Sequence, residues 1–127
     1  MFQRLLVGLD GSAGADAALD AALMLGRRAG ATIVLAAVTE IRLLEAPIFE
    51  AAGPLWTEGM PLAPVASEIR EVLDARAKRF LAEGSDRVAE AGLAVETVRA
   101  VGIVDEELLR LAETTDAVVI GRRGELQ

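Results

Sequence analysis

The chain predicts an α/β protein built on an open, doubly wound parallel sheet, and three observations carry that expectation. Apolar runs at residues 5–9, 32–38 and 116–121 read as strands covered on both faces, because they do not alternate with polar residues. Alanine- and leucine-rich stretches of helical period lie between such runs. The first and last runs stop abruptly, at Asp10-Gly11-Ser12 and at Gly121-Arg122-Arg123-Gly124. Strand, helix, strand at this spacing is a right-handed parallel unit. In open sheets of this kind, ligands sit beyond the carboxyl ends of the strands, where the winding reverses.

Each element has a local reason. Gly11 permits a sharp turn after the first strand, and Ser12 is placed to cap the helix that follows. That helix spans residues 14–30. Ala15, Ala18, Leu19, Ala22 and Leu25 fall on one face, Arg27 and Arg28 suit its C-terminal dipole, and Gly30 suits its stop. The β-branched run 32–38 is the second strand. From residue 39 to 64 the pattern dissolves into a long proline-bearing loop with Pro47, Pro54, Pro61 and Pro64, in which residues 41–50 have room for a helical turn or two. Phe49, Leu55, Trp56 and Met60 give this loop an apolar content that suits packing, on its own domain or on a neighbouring subunit.

A long helix is expected over 66–91, with Ile69, Leu73, Phe80, Gly84, Val88 and Ala91 on one face. Glu68, Arg70, Glu71, Asp74, Arg76, Lys78 and Arg79 read as its solvated side. Residues 94–101 alternate, which fits a strand near a sheet edge. A short helix over 104–113 has Asp105, Glu106 and Glu107 in its first turn, where negative charge complements the dipole. Its apolar face is Val104, Leu108, Leu111 and Ala112.

Composition removes whole classes of chemistry. The 127 residues include neither cysteine nor histidine, so disulfides, thiol catalysis, Ser-His-Asp triads and histidine-ligated metals are out. With 53% apolar residues, one domain with a real core is expected. A net charge of −7 disfavours a nucleic-acid partner. No apolar run approaches the roughly 20 residues of a membrane span, and the N-terminus leads directly into a strand. A cytoplasmic domain is the expectation. Phospho-receiver chemistry needs an acidic cluster and a lysine near the reactive aspartate, whereas Asp10 has no acidic neighbour and the single lysine, Lys78, is mid-helix. Gly8, Gly11 and Gly14 are spaced G-x-x-G-x-x-G, which is not the dinucleotide fingerprint.

What remains is recognition by main chain. A Gly-x-x-Gly turn after a buried strand exposes N–H groups that form a nest for phosphate oxygens. Arg122 and Arg123 add cations beside it, and Asp10 is suited to accept from a ribose hydroxyl or to hold a divalent cation near phosphates. By itself each feature also has a plain structural reading, a turn for the glycines and a helix cap for Asp10. Together they form the two walls of one crevice if the first and fourth strands are neighbours.

These residues resemble the universal stress protein family. Val7-Gly8-Leu9-Asp10-Gly11-Ser12 is similar to the family's opening strand and turn, Leu35-Ala36-Ala37-Val38 to its second strand, and Asp116 through Gly124 to its Asp-Leu-(Ile/Val)-Val-(Met/Ile)-Gly-x-x-Gly signature. Gly102, followed by residues 106–112, resembles its Gly-x-Pro helix start, with Val104 where proline is usual. The resemblance runs essentially end to end. It implies the adenine nucleotide alpha hydrolase-like fold with strand order 3-2-1-4-5 and, in many members, Mg-ATP held by Gly-x2-Gly-x9-Gly-(Ser/Thr). Carried over, Gly121 and Gly124 would line ribose and phosphates, with Arg122 and Arg123 between them. Gly8, Asp10 and Ser12 would flank the nucleoside, and the main chain of Val38 would meet the adenine edge. Asp10 is also the candidate ligand for Mg2+. The second half of the motif and the family's last helix and strand would lie past Gln127, as for a truncated domain or the first half of a tandem chain.

The implied function is a regulatory ATP-binding module that pairs as a homodimer or with a tandem partner domain. No residue set suited to accelerating a reaction stands out, so slow ATP hydrolysis is the most that is expected. The alternative is a family member that binds no nucleotide and acts as a dimerising interaction scaffold.

Overall fold

The computed structural model describes residues 3–40 and 63–121. Their order is β1 (Arg4–Gly8), α1 (Ala13–Ala29), β2 (Thr32–Glu40), α2 (Ala63–Glu90), β3 (Val95–Gly102), α3 (Val104–Ala112) and β4 (Ala117–Val119). The four strands form one parallel sheet in the order β3-β2-β1-β4. A fifth strand is not among the described elements.

The α/β class and the expected succession of elements are observed, with shifted ends. β2 runs on through Thr39 and Glu40, and α2 starts at Ala63, so both ends of the expected 39–64 loop belong to regular elements. Pro64 lies in the first turn of α2, where a missing amide hydrogen costs no helical bond. β4 is three residues long, half the expected run. The candidate residues Arg122, Arg123 and Gly124, the expected turns at 41–50, and Phe49, Leu55, Trp56 and Met60 lie outside the described residues.

Strand alternation sorts side chains between two layers. Leu5, Val7 and Leu9 of the first strand region and Ile33, Leu35 and Ala37 of β2 point to the face covered by α1 and α2. There they pack with Ala18, Leu19, Ala22, Leu81 and Val88. Leu6, Val34 and Ala36 point the other way, beneath Leu108, Leu111 and Ala112 of α3. The inward stripe of α2 includes Ala77 and Leu81 besides the expected Gly84 and Val88. Gly84 is a close-packing position. A β-carbon there would come within 2.9 Å of both Leu35 Cδ1 and Leu9 Cδ1. α3 leaves none of its residues fully buried, so its expected apolar face is a half-buried one. β3 lies at the sheet edge, as its alternation implies.

β4 is tied to the start of β1 by a charged clamp. Asp116 Oδ2 accepts from the amides of Gln3 at 2.8 Å and Arg4 at 2.9 Å. Those two backbone hydrogen bonds hold its carboxyl below the usual aspartate range.

Candidate functional site

The β1–α1 turn is built from three consecutive residues. Asp10 Oδ1 accepts from the Ser12 amide at 2.9 Å, which folds the chain back on itself. Ser12, in extended backbone, then caps α1 by accepting from the Ala15 amide at 3.1 Å. Gly11 between them has φ +82°, a conformation that favours glycine. The ring of Phe80 lies on this glycine, so a β-carbon would come within 2.6 Å of Cζ. The aromatic side chain of α2 therefore sits on the turn because the turn has no side chain.

The tips of β1 and β4 meet, as expected for neighbouring strands. β4 pairs with β1 from Leu5↔Ala117 to Val7↔Val119. Beyond the pairing, Gly121 lies against the first turn of α1. A β-carbon there would be 2.7 Å from the Ala15 nitrogen and closer still to the Gly14 carbonyl group. Backbone touches backbone, so this junction is tight and no cavity lies between Gly121 and Gly14.

The cavity lies one strand over, at the carboxyl edge of β1 and β2. It measures about 180 Å³. Leu9, Asp10, Ala37, Val38 and Thr39 form its floor, with Leu73, Arg76, Ala77 and Phe80 of α2 along one wall and Val104 on another side. Roughly 300 Å³ marks the low end of ordinary small-molecule pockets, so these walls seat part of a nucleotide rather than all of one. Of the predicted site residues, Asp10 and Val38 are brought together here. Gly8 lies beneath Leu108 instead, and Ser12 is occupied by its cap.

Val38 offers the sharpest polar feature of this cavity. Within a parallel ladder, the N–H and C=O of one residue address the same neighbour, and alternate residues address the same side. The Ala36 carbonyl accepts from Leu9 of the β1 chain at 2.8 Å. Val38 therefore faces β1 too, but the pairing of the two strands ends at Gly8↔Ala36. Among the described residues, no backbone group meets the Val38 amide or carbonyl on that side. A donor and an acceptor stand side by side at the mouth of an apolar cavity, the pattern that an adenine edge complements.

Asp10 is exposed and keeps one carboxylate oxygen outside its turn. Among the described residues, no group of three or more acidic side chains could cage a metal ion. A cation such as Mg2+ could draw on Asp10 as a single carboxylate, with its other ligands coming from phosphates and water.

Sequence reasoning missed the α2 wall. Leu73 and Phe80 were visible as apolar positions and Arg76 as a charged one, but no local pattern announces that a helix forty residues downstream will stand over the end of β2. A second cleft of about 290 Å³ opens between α1 and α2 on the far side of Phe80. Arg87 spans it by pairing with Asp20 and, at 3.8 Å, with Asp16, which accounts for it as a helix–helix tie.

Comparison with known proteins gives a consistent result. The sequence model described as the universal stress protein family matches residues 1–126. A search of curated proteins finds no match. Among solved structures, universal stress protein UspA from Lactobacillus plantarum is similar at 22% identity and a TM-score of 0.72, over 96% of this chain and 80% of that one. A universal stress protein family member from Burkholderia pseudomallei is similar at 29% identity and a TM-score of 0.66, over 94% and 81%. A universal stress protein in complex with cAMP is similar at 23% identity and a TM-score of 0.61, over 92% and 74%.

Proposed function

The chain belongs to the universal stress protein family, and we propose that it is a regulatory module that binds an adenine nucleotide, Mg-ATP foremost, at the carboxyl edge of β1 and β2. The observation that carries this reading is the Val38 amide and carbonyl, which no backbone group among the described residues meets on the β1 side, opening with Asp10 onto one cavity. Val38 reads the adenine edge. The free oxygen of Asp10 accepts from a ribose hydroxyl. The triphosphate extends out of the mouth of the cavity between Asp10 and the α2 wall, where Mg2+, once bound with it, would offset its charge. The cAMP complex of a relative supports an adenine nucleotide as the ligand class. A cytoplasmic location suits such a ligand, and none of the described helices is long and apolar enough to cross a membrane. The role proposed for it is sensing rather than turnover.

Titration calorimetry of the chain with Mg-ATP tests this. Binding is expected, weakened about tenfold by Asp10→Ala through the loss of one charge-assisted hydrogen bond. Excess chelator is expected to weaken it further, since an acidic protein relies on the cation to meet phosphate. No heat from the wild-type chain with ATP, ADP or cAMP removes the nucleotide reading. The second reading, a scaffold that associates without nucleotide, is favoured by Leu109 and Ile120, each 70% exposed on the α3–β4 side. Self-association in sedimentation, together with silent calorimetry, would select it.

A further inference from the structure

We infer that Arg76 is the side chain that meets the phosphate groups of the bound nucleotide, an assignment that rests on the reading just given. α2 has 28 residues and so measures about 42 Å, whereas the nine residues of β2 span about 30 Å. Gly84 is the point where α2 presses on Leu9 and Leu35. The turns before it therefore rise past the carboxyl edge of the sheet, and Leu73, Arg76, Ala77 and Phe80 become a wall of the cavity.

Among the described residues, two charged ones line that cavity, Asp10 and Arg76. They are of opposite sign and come from opposite sides. Asp10 is tethered to the Ser12 amide. Arg4, Arg87, Arg99 and Arg110 each pair with a carboxylate, but Arg76 forms no ion pair among the described residues. Its guanidinium instead stands 5.6 Å over the Phe80 ring. That ring is itself seated on Gly11. The cation is thus held at the mouth of the cavity by a stack that consumes none of its hydrogen-bond donors. A planar guanidinium in that state suits bidentate contact with phosphate oxygens. The chain carries seven negative charges in excess, so a polyanion has to be met by a local cation rather than by the overall field.

Arg79 supplies an internal control. It stacks on the same ring at 5.8 Å but does not line the cavity. Titrations with Mg-ATP and with adenosine, on the wild-type chain, Arg76→Gln and Arg79→Gln, separate the alternatives. Arg76→Gln is expected to weaken Mg-ATP about tenfold, the scale of one lost charged hydrogen bond. It should leave adenosine within about twofold, because screening mutes the loss of an exposed charge for a neutral ligand. Arg79→Gln should move neither. Equal losses for both variants would make the effect one of general charge and overturn the assignment. Unchanged ATP binding by Arg76→Gln, with the wild-type chain binding normally, overturns it while leaving the nucleotide reading intact. A wild-type chain that binds neither ligand overturns both.

Discussion

On the α1–α2 face of the sheet, Leu5, Val7, Leu19, Ile33, Leu35 and Val88 are each at most 1% exposed, whereas on the opposite face, among the described residues, only Leu6, Val34 and Ala36 are buried and α3 buries no residue fully. Both layers use the same strands, so the difference is one of cover. α1 and α2 contribute 17 and 28 residues to one side, while α3 contributes nine to the other. Stability is therefore concentrated on the first face. The second carries the exposed Leu109 and Ile120. The proposed nucleotide site lies at the rim of the well-packed side, where α2 outlasts the sheet. A ligand that must be read by fixed main-chain atoms is best served by the strands that are held hardest.

Truncations on the two faces break or sharpen this contrast. Leu35→Ala should cost about 2–5 kcal/mol, as for a fully enclosed leucine whose cavity cannot collapse. Leu108→Ala, at a half-buried position, should cost about 1 kcal/mol, since less apolar area is lost from cover. Urea unfolding of both variants measures the ratio. Equal losses would mean that α3 packs as tightly as α1 and α2 do.

The smallest expected effect is a pH dependence at the Asp116 clamp. Its carboxyl titrates below the ordinary value because the charged form accepts two backbone amides in the fold. Stability from it is present above the unfolded-state value, near 4, and is lost as pH falls through the lower folded value. Asp116→Asn should therefore lower the urea midpoint most at neutral pH. The gap from wild type should shrink steadily as pH drops below about 4. A gap that stays constant from pH 7 to pH 3 would show that the carboxylate charge is immaterial there.

Much of the scaffold was legible because buried parallel strands announce themselves. Residues 5–9 and 32–38 are apolar on consecutive positions, and two covered faces are the simplest cause. Ser12 as cap and Gly30 as stop, with φ +67°, were legible for the same local reason. The start of α2 was not. Pro64 looks like a breaker, and only the helix register shows that it falls in the first turn. At the candidate site, Asp10 and Val38 could be picked out, but not the consequence of β1 ending opposite Ala36, two residues before Val38. By sequence alone, Arg76 belongs to a solvated face. Its place on the cavity depends on how far α2 overhangs β2, a tertiary quantity with no local signature. Phe80 is an inward apolar position by its helical spacing, and its seat on Gly11 requires two segments about seventy residues apart to meet.

The Asp116 clamp has a kinetic corollary. It joins residues 112 and 113 positions apart, and β1 needs the last described strand to complete one of its two edges. A nascent chain that has released β1, α1 and β2 therefore holds an unfinished ladder until β4 emerges. That high contact order slows folding through loop-closure entropy. The exposed margin of β1 is, in that interval, the place where another chain would dock and aggregation would begin.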